Sequence, residues 1–71
     1  MEITEQDKQY MREAIRLADA SVNSGGGPFG AVIVKDGTIV CGSANRVTID
    51  IDPTAHAEVN AIRAACRQLP I

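Results

Sequence analysis

Aromatic side chains are almost absent from this sequence of 71 residues, which has one Phe, one Tyr and no Trp. Aromatic residues usually supply much of a buried core, so any core here must be built from aliphatic side chains. Apolar residues make up 45% of the chain and charged residues 23%. Because this is ordinary usage for a globular protein, it excludes a disordered or fibrous chain and predicts one domain.

Clusters of basic residues, long apolar runs and an export signal are missing too. The formal net charge is −2 and the basic residues are scattered singly, which argues against nucleic acid as a partner. The longest apolar run, Ala31–Val34, is too short to cross a bilayer, so no membrane partner is expected. The acidic, polar start is unlike a signal peptide. With only two cysteines as well, we expect reduced thiols and a cytoplasmic protein.

The first predicted element is a helix over Glu5–Asn23, with Thr4 as its N-cap and Asp7 in position for a capping box. The loop 25–30 matches Gly-x-Gly-x-x-Gly, but a dinucleotide site needs a strand before it and a helix after it, so we interpret the loop as a tight turn. The helix has an apolar stripe, expected to face the core. Its members are Met11, Ala14, Ile15, Ala18 and Val22.

Two strands are predicted next, over Phe29–Lys35 and Thr38–Ser43, joined by the hairpin signal Asp36-Gly37. The continuous apolarity of the first strand predicts burial on both of its faces. A two-stranded sheet with an open apolar edge is weak and prone to aggregate. We therefore expect the chain to be the front half of something larger, or a protomer completed by a homo-oligomer or by a complementing second half.

A second helix follows a predicted loop over residues 45–52. Asp52 is its expected N-cap, Pro53 fits its first turn, and Pro70 is expected to end it. We expect both Cys41 and Cys66 to be buried, unreactive thiols. The apolar stripe predicted for this second helix consists of Val59, Ile62, Cys66 and Leu69.

The start of this second helix has the pattern His56-Ala57-Glu58. First-turn side chains point back toward the helix N-terminus, so His56 and Glu58 can reach one site beyond it, where free backbone N–H groups also point. A metal-ligating imidazole and a carboxylate base there would suit hydrolytic chemistry. Taken alone the pattern is weak, because His-x-Glu is frequent by chance and Glu is a good first-turn residue.

Several motifs in order add to this pattern. Residues 26–37 read Gly-Gly-Pro-Phe-Gly-Ala-Val-Ile-Val-Lys-Asp-Gly, Asn45 follows, and residues 52–58 read Asp-Pro-Thr-Ala-His-Ala-Glu. The ordered set resembles the zinc-dependent cytidine and deoxycytidylate deaminase superfamily, whose signature is His-x-Glu followed by Pro-Cys-x-x-Cys. Within it, the first stretch resembles bacterial guanine deaminases most. The second stretch is shared with tRNA adenosine deaminases. The resemblance covers nearly the whole chain.

The resemblance implies a fold and a site. The fold class would be α/β: residues 1–71 would form a single, partial deaminase-like domain, the N-terminal half of a three-layer α/β/α fold, with an antiparallel hairpin at the start of a mixed sheet. It implies that His56 is a zinc ligand and Glu58 the catalytic proton shuttle. The substrate-binding positions would be Asn45, which hydrogen-bonds the base, the backbone N–H of Ala57, and Phe29 at the pocket wall.

The sequence departs from the family in one respect: Pro-Cys-x-x-Cys is absent from these 71 residues. The resemblance implies that two Cys ligands for zinc come from a missing half, so we expect the chain alone to be inactive. The predicted parent activity is hydrolytic deamination of a small nucleobase or nucleoside, guanine first. A tRNA adenosine deaminase, a non-catalytic α/β module that pairs with a partner, and a regulatory deaminase-like domain without metal remain alternatives.

Overall fold

The computed structural model describes residues 2–69 and has three layers. Its elements in chain order are α1 (Glu5–Asn23), β1 (Gly30–Lys35), β2 (Thr38–Ala44), α2 (Val47–Asp50) and α3 (Ala57–Gln68). The strands form an antiparallel sheet, and both long helices contact both strands. Gly42 adjoins Leu17 of α1, whereas Cys41 contacts Ala61 of α3. Successive strand residues point to opposite faces, so α1 and α3 cover opposite faces of the sheet.

Helix α1 begins and ends where the sequence predicts. The Thr4 hydroxyl accepts a hydrogen bond from the Asp7 N–H, and the Asp7 carboxylate accepts one from the Thr4 N–H, both at 3.0 Å. This reciprocal pair is the predicted capping box and satisfies backbone donors that the helix itself leaves unpaired. Within residues 2–69, no helix is both long and apolar enough to cross a membrane.

The predicted core stripe of α1 is only partly correct. Ala14 and Ala18 lie against the sheet, but Met11 is 62% exposed, and Ile15 and Val22 are also exposed. Leu17, which the prediction omitted, packs over Gly42 instead. The helix therefore meets the sheet with Ala14, Leu17 and Ala18 rather than with the predicted stripe. The short alanine side chains let the helix backbone approach the sheet closely.

The hairpin forms as predicted. Asp36 and Gly37 have φ angles of 53° and 76°, the positive values that a two-residue turn matching the strand twist requires. The Tyr10 hydroxyl donates a hydrogen bond of 2.7 Å to the Gly37 carbonyl, which fixes the turn against α1. The sheet register shifts between Ile33 and Val34, which marks a bulge. The expected burial of β1 on both faces is wrong for the described residues, since its members are half-buried or exposed.

The region before α3 differs from its prediction. The predicted loop contains the short helix α2, and α3 has His56, not Asp52, as its N-cap. Asp52 closes a separate turn before the helix: its carboxylate accepts hydrogen bonds from the N–H and hydroxyl of Thr54, at 2.9 and 2.7 Å, and its carbonyl accepts one of 3.1 Å from the Ala55 N–H. The predicted stop at Pro70 lies outside the described residues.

The buried face of α3 is also not the one predicted. Ala57, Ala61 and Ala65 are buried, whereas Ile62 is 52% exposed, and Val59 and Leu69 are half-buried. The Cys41 thiol donates a hydrogen bond of 3.2 Å to the Ala61 carbonyl, so the helix backbone itself lies against the sheet. Alanines permit that approach, and the larger residues are therefore on the flank. Cys41 is half-buried, and the expected burial of Cys66 is wrong because this residue is exposed.

Adding one methyl group at Gly30 should disturb the contact between α1 and β1. A Cβ atom there would overlap the Ala14 carbonyl oxygen and lie 2.9 Å from the Ala18 nitrogen, both of them backbone atoms. We expect Gly30→Ala to lower the free energy of unfolding by about 1–3 kcal/mol in urea denaturation of the whole protein.

Gly42→Ala is the matched control for this variant. Its Cβ would meet the terminal Cδ1 atom of Leu17, which can rotate away, so the loss should be much smaller. If both variants lose the same free energy of unfolding, the backbone contact at Gly30 does not limit packing more than the side-chain contact at Gly42.

Candidate active site

An open pocket lies at the N-terminus of α3, beside the start of β1. Its volume is about 260 Å³. The structure brings all five predicted site residues together in its lining, although they come from three separate segments of the chain. These residues are Phe29, Asn45, His56, Ala57 and Glu58.

His56 and Glu58 are positioned by the first turn of α3. His56 has extended backbone angles as the N-cap, and Glu58 is the second residue of the helix. The His56 Nδ1 and Glu58 Oε1 atoms are 3.6 Å apart, too far for a hydrogen bond, and both side chains are more than half exposed. Each group is therefore available to a ligand in the pocket. The positive end of the helix dipole favours a negatively charged group at this place.

Asn45 is fixed by three hydrogen bonds. Its N–H donates to the Phe29 carbonyl and its carbonyl accepts from the Ser21 hydroxyl, both at 3.0 Å. Its side-chain oxygen Oδ1 accepts from the Val47 N–H at 3.2 Å. The side-chain nitrogen Nδ2 has no hydrogen-bond partner among residues 2–69. Because Oδ1 is occupied, the side chain offers a donor to the pocket.

The glycine loop makes room for Asn45. A Cβ atom at Gly27 would lie 2.8 Å from Oδ1 of Asn45, and one at Gly26 would lie 2.6 Å from its backbone oxygen. The Gly26 N–H also donates a hydrogen bond of 2.7 Å to the Ser21 carbonyl. The predicted tight turn is thus confirmed, and its glycines allow a close approach to the site residue.

Two supporting residues were missed by sequence reasoning. Ser21 is only 5% exposed, and the one available signal was a hydroxyl between apolar positions of α1. The Asn60 amide nitrogen donates hydrogen bonds to the carbonyls of Ala44 and Ala55, at 3.0 and 3.2 Å. Asn60 therefore connects α3 to the end of β2 and to the segment before the helix. No local sequence pattern marks such a contact.

The turn at Asp52 lies next to the pocket. The hydrogen bonds from the backbone and then the hydroxyl of Thr54 hold the pKa of the Asp52 carboxyl below its usual value, with smaller contributions from the charges of Arg63 and His56. The ionised carboxylate of Asp52 therefore stabilises the turn that precedes His56.

The described residues do not form a complete zinc site. Within residues 2–69, no three His, Cys, Asp or Glu side chains are close enough to hold a metal ion. Cys41 bonds to the helix backbone, and Cys66 lies roughly 15 Å along α3 from His56 at 1.5 Å per residue. A catalytic zinc site needs three protein ligands, so His56 alone does not constitute one.

Comparison with known proteins defines the family. Residues 4–70 match the family described as the cytidine and deoxycytidylate deaminase zinc-binding region. The chain belongs to this family, as the ordered motifs predicted. It is 59% identical over 61 residues to the guanine deaminase of Bacillus subtilis (strain 168), an alignment that covers 84% of this chain and 39% of that protein. It is 45% identical over 60 residues to a tRNA-specific adenosine deaminase of Aquifex aeolicus (strain VF5), covering 84% and 40%.

Solved structures confirm the fold. The X-ray structure of the Bacillus subtilis guanine deaminase matches with a TM-score of 0.81 and 57% identity, covering 84% of this chain and 39% of that chain. A structure from a study of tRNA:A34 deaminases matches with the same TM-score at 38% identity, covering 84% and 46%. The chain therefore has the α/β fold of these deaminases. It spans about two fifths of the length of the curated relatives quoted above.

Acid should break the turn at Asp52. Because the pKa of this carboxyl is depressed in the folded state, the stabilisation exists above the ordinary aspartate pKa of about 3.9 and is lost as the pH falls through the lower folded value. In an NMR titration of the whole protein, the Thr54 amide signal should move with a midpoint below 3.9. Asp52→Asn, which cannot ionise, should abolish this movement. A midpoint at or above the ordinary value would contradict the assignment.

Proposed function

We propose that residues 1–71 belong to a zinc-dependent hydrolytic deaminase acting on a purine base, with guanine as the first candidate. One observation carries the proposal: the pocket collects His56, Glu58 and Asn45 in a chain that is 59% identical over 61 residues to a guanine deaminase. The reaction replaces an exocyclic amine of the base by oxygen from water and releases ammonia.

In this proposal Glu58 moves the protons. Its carboxylate accepts a proton from the attacking water and delivers it to the ring nitrogen. It then moves the second proton, from the hydroxyl of the adduct, to the departing amine, which leaves as ammonia while the carbonyl forms. Its place in the first turn of α3, beside the positive helix end, keeps a proton acceptor next to a region that favours developing negative charge. We assign His56 as a zinc ligand, and the remaining ligands would have to come from outside residues 2–69.

Recognition of the base is assigned to two donors and an aromatic wall. The free Nδ2 of Asn45 and the N–H of Ala57 both donate, so they fit a substrate edge with acceptors, as the carbonyl oxygen and ring nitrogens of guanine provide. Phe29 is 60% exposed at the same pocket, where its ring offers a surface on which a base can stack. These contacts also suit other aminated heterocycles.

A tRNA adenosine deaminase is the second candidate. The 45% identity over 60 residues to a tRNA-specific adenosine deaminase favours it, and so does the structural match to a tRNA:A34 deaminase study. The net charge of −2 supports a small substrate instead. We therefore retain free nucleobases or nucleosides as the proposed substrates.

We also propose that residues 1–71 are part of a larger domain, completed by further polypeptide or by a second copy. Within residues 2–69, β1 pairs only with β2, so its other edge has no partner strand. Met11 and Ile15 of α1 and Ile62 of α3 are exposed although apolar. A longer sheet would cover them. On this proposal the 71-residue chain alone is inactive, and the alternative is a non-catalytic module that pairs with a partner.

We assign the protein to the cytoplasm. Cys41 and Cys66 are both free thiols, as a reducing compartment would keep them.

Replacing Glu58 tests the proton shuttle. In the whole protein, Glu58→Gln should keep zinc but lose at least about 100-fold in the rate of ammonia release from guanine, because the amide cannot accept the proton from water. Glu2→Gln, which makes the same charge change on an exposed residue outside the pocket, should leave the rate unchanged. Unchanged turnover in the Glu58 variant would remove this residue from the mechanism.

Replacing His56 tests the metal assignment. His56→Ala should lower the zinc content of the whole protein, measured by elemental analysis, because one ligand is lost. Cys66→Ala is the control and should keep full zinc, since this exposed cysteine lies far along the helix from the pocket. Stoichiometric zinc in the His56 variant would refute its role as a ligand.

A further inference from the structure

A second concave surface lies on the other flank of α3, between this helix and the end of β2. We call it the arginine groove, and its volume is about 400 Å³. It shares no lining residue with the pocket at the helix start, and Ala55 lines the groove where the neighbouring His56 lines the pocket. Its polar lining residues are Ser43, Arg46, Asp50, Asp52, Asn60, Arg63 and Arg67.

The charge of the arginine groove is opposite to that of the chain. Three guanidinium groups face two carboxylates there, which gives a local charge of +1 in a chain of net charge −2. Both carboxylates are already engaged. Asp50 accepts two hydrogen bonds from Arg46, each of 3.0 Å, and Asp52 accepts the two from Thr54.

Arg63 and Arg67 are the available cations of the groove. Neither forms an ion pair or a side-chain hydrogen bond with any of residues 2–69. They are four residues apart on α3, so they are neighbours on one helix face, where like charges repel unless an anion lies between them. The half-buried Ser43 also lines the groove, and its hydroxyl has no hydrogen-bond partner among the same residues.

We propose that the arginine groove binds a phosphate group. Guanidinium groups donate paired hydrogen bonds that match phosphate oxygens, and Arg63 and Arg67 would supply them. Arg46 is held in a fixed orientation by its two hydrogen bonds to Asp50, so this neutral pair adds guanidinium N–H donors but no net charge. The Ser43 hydroxyl is a further donor. Free phosphate, a mononucleotide and a nucleic-acid backbone all carry this group, and titrations with each of them distinguish the three sources.

The first experiment is a titration of the whole protein with inorganic phosphate, followed through the NMR signals of the arginine Nε–H groups. The Arg63 and Arg67 signals should shift and saturate. The double variant Arg63→Gln/Arg67→Gln should weaken binding at least about tenfold, because it removes charge-assisted hydrogen bonds. The double variant Arg12→Gln/Lys35→Gln removes the same charge from exposed positions outside the groove and should bind as the wild type does.

Two outcomes would overturn the proposal. One is a shift that does not saturate, which indicates general ionic screening. The other is an equal loss of affinity in both double variants, which shows that only the net charge matters.

A second titration identifies the source of the phosphate. The probes are guanosine 5′-monophosphate and a 12-nucleotide single-stranded RNA. If one phosphate suffices, the RNA binds no more tightly than the mononucleotide. If the groove holds a backbone, the RNA binds more tightly, with an affinity that falls steeply with salt. Both results support a phosphate site when the Arg63/Arg67 double variant removes the binding, and RNA binding that this variant leaves intact would contradict it.

Discussion

The amide group of Asn60 is the contact on which the rest of the site depends. It donates to the carbonyl of Ala44, the last residue of β2, and to the carbonyl of Ala55, which precedes α3. The Ala55 carbonyl also accepts a hydrogen bond of 2.9 Å from the N–H of Arg46. The strand end, the connecting segment and the helix start are thus held together by one side chain. The positions of His56 and Glu58 follow, because both belong to the helix start that Asn60 fixes.

Small residues set how the layers pack. Gly30 lets the backbone of α1 approach β1, and Ala61 lets the backbone of α3 approach Cys41. Apart from Leu17 of α1, which packs over Gly42, the helix residues closest to the sheet have short side chains, and several larger apolar residues lie on the helix flanks. A side chain such as Ile62, which is 52% exposed, would gain burial only from structure outside residues 2–69. The same close packing that positions the pocket thus leaves apolar surface for additional structure to cover.

Features that depend on neighbouring residues were predicted correctly from the sequence, whereas the exact helix start and the buried helix faces were not. The Thr4 capping box and the Asp36-Gly37 turn each depend on neighbouring residues, and both are confirmed. The start of α3 was predicted wrongly because Asp52 and Thr54 form the local contact that an N-cap makes, but that contact closes a separate turn ahead of the helix. Apolar spacing also could not show which of two adjacent helix faces meets the sheet. The residues that line the pocket were predicted through the order of their motifs, whereas Asn60 acts through distant carbonyls that no spacing reveals.

Helix α3 has different chemistry at its two ends, and the helix dipole favours the charge that lies at each end. The pocket lies at the N-terminus, where unpaired N–H groups and partial positive charge favour a carboxylate such as that of Glu58. Arg67 lies in the last turn of the helix, where the partial negative charge of the C-terminus stabilises a cation, and Arg63 lies one turn before it. Among residues 57–68, neither arginine has an acidic partner. That leaves their guanidinium groups available to an external anion, which a salt bridge within the helix would have prevented.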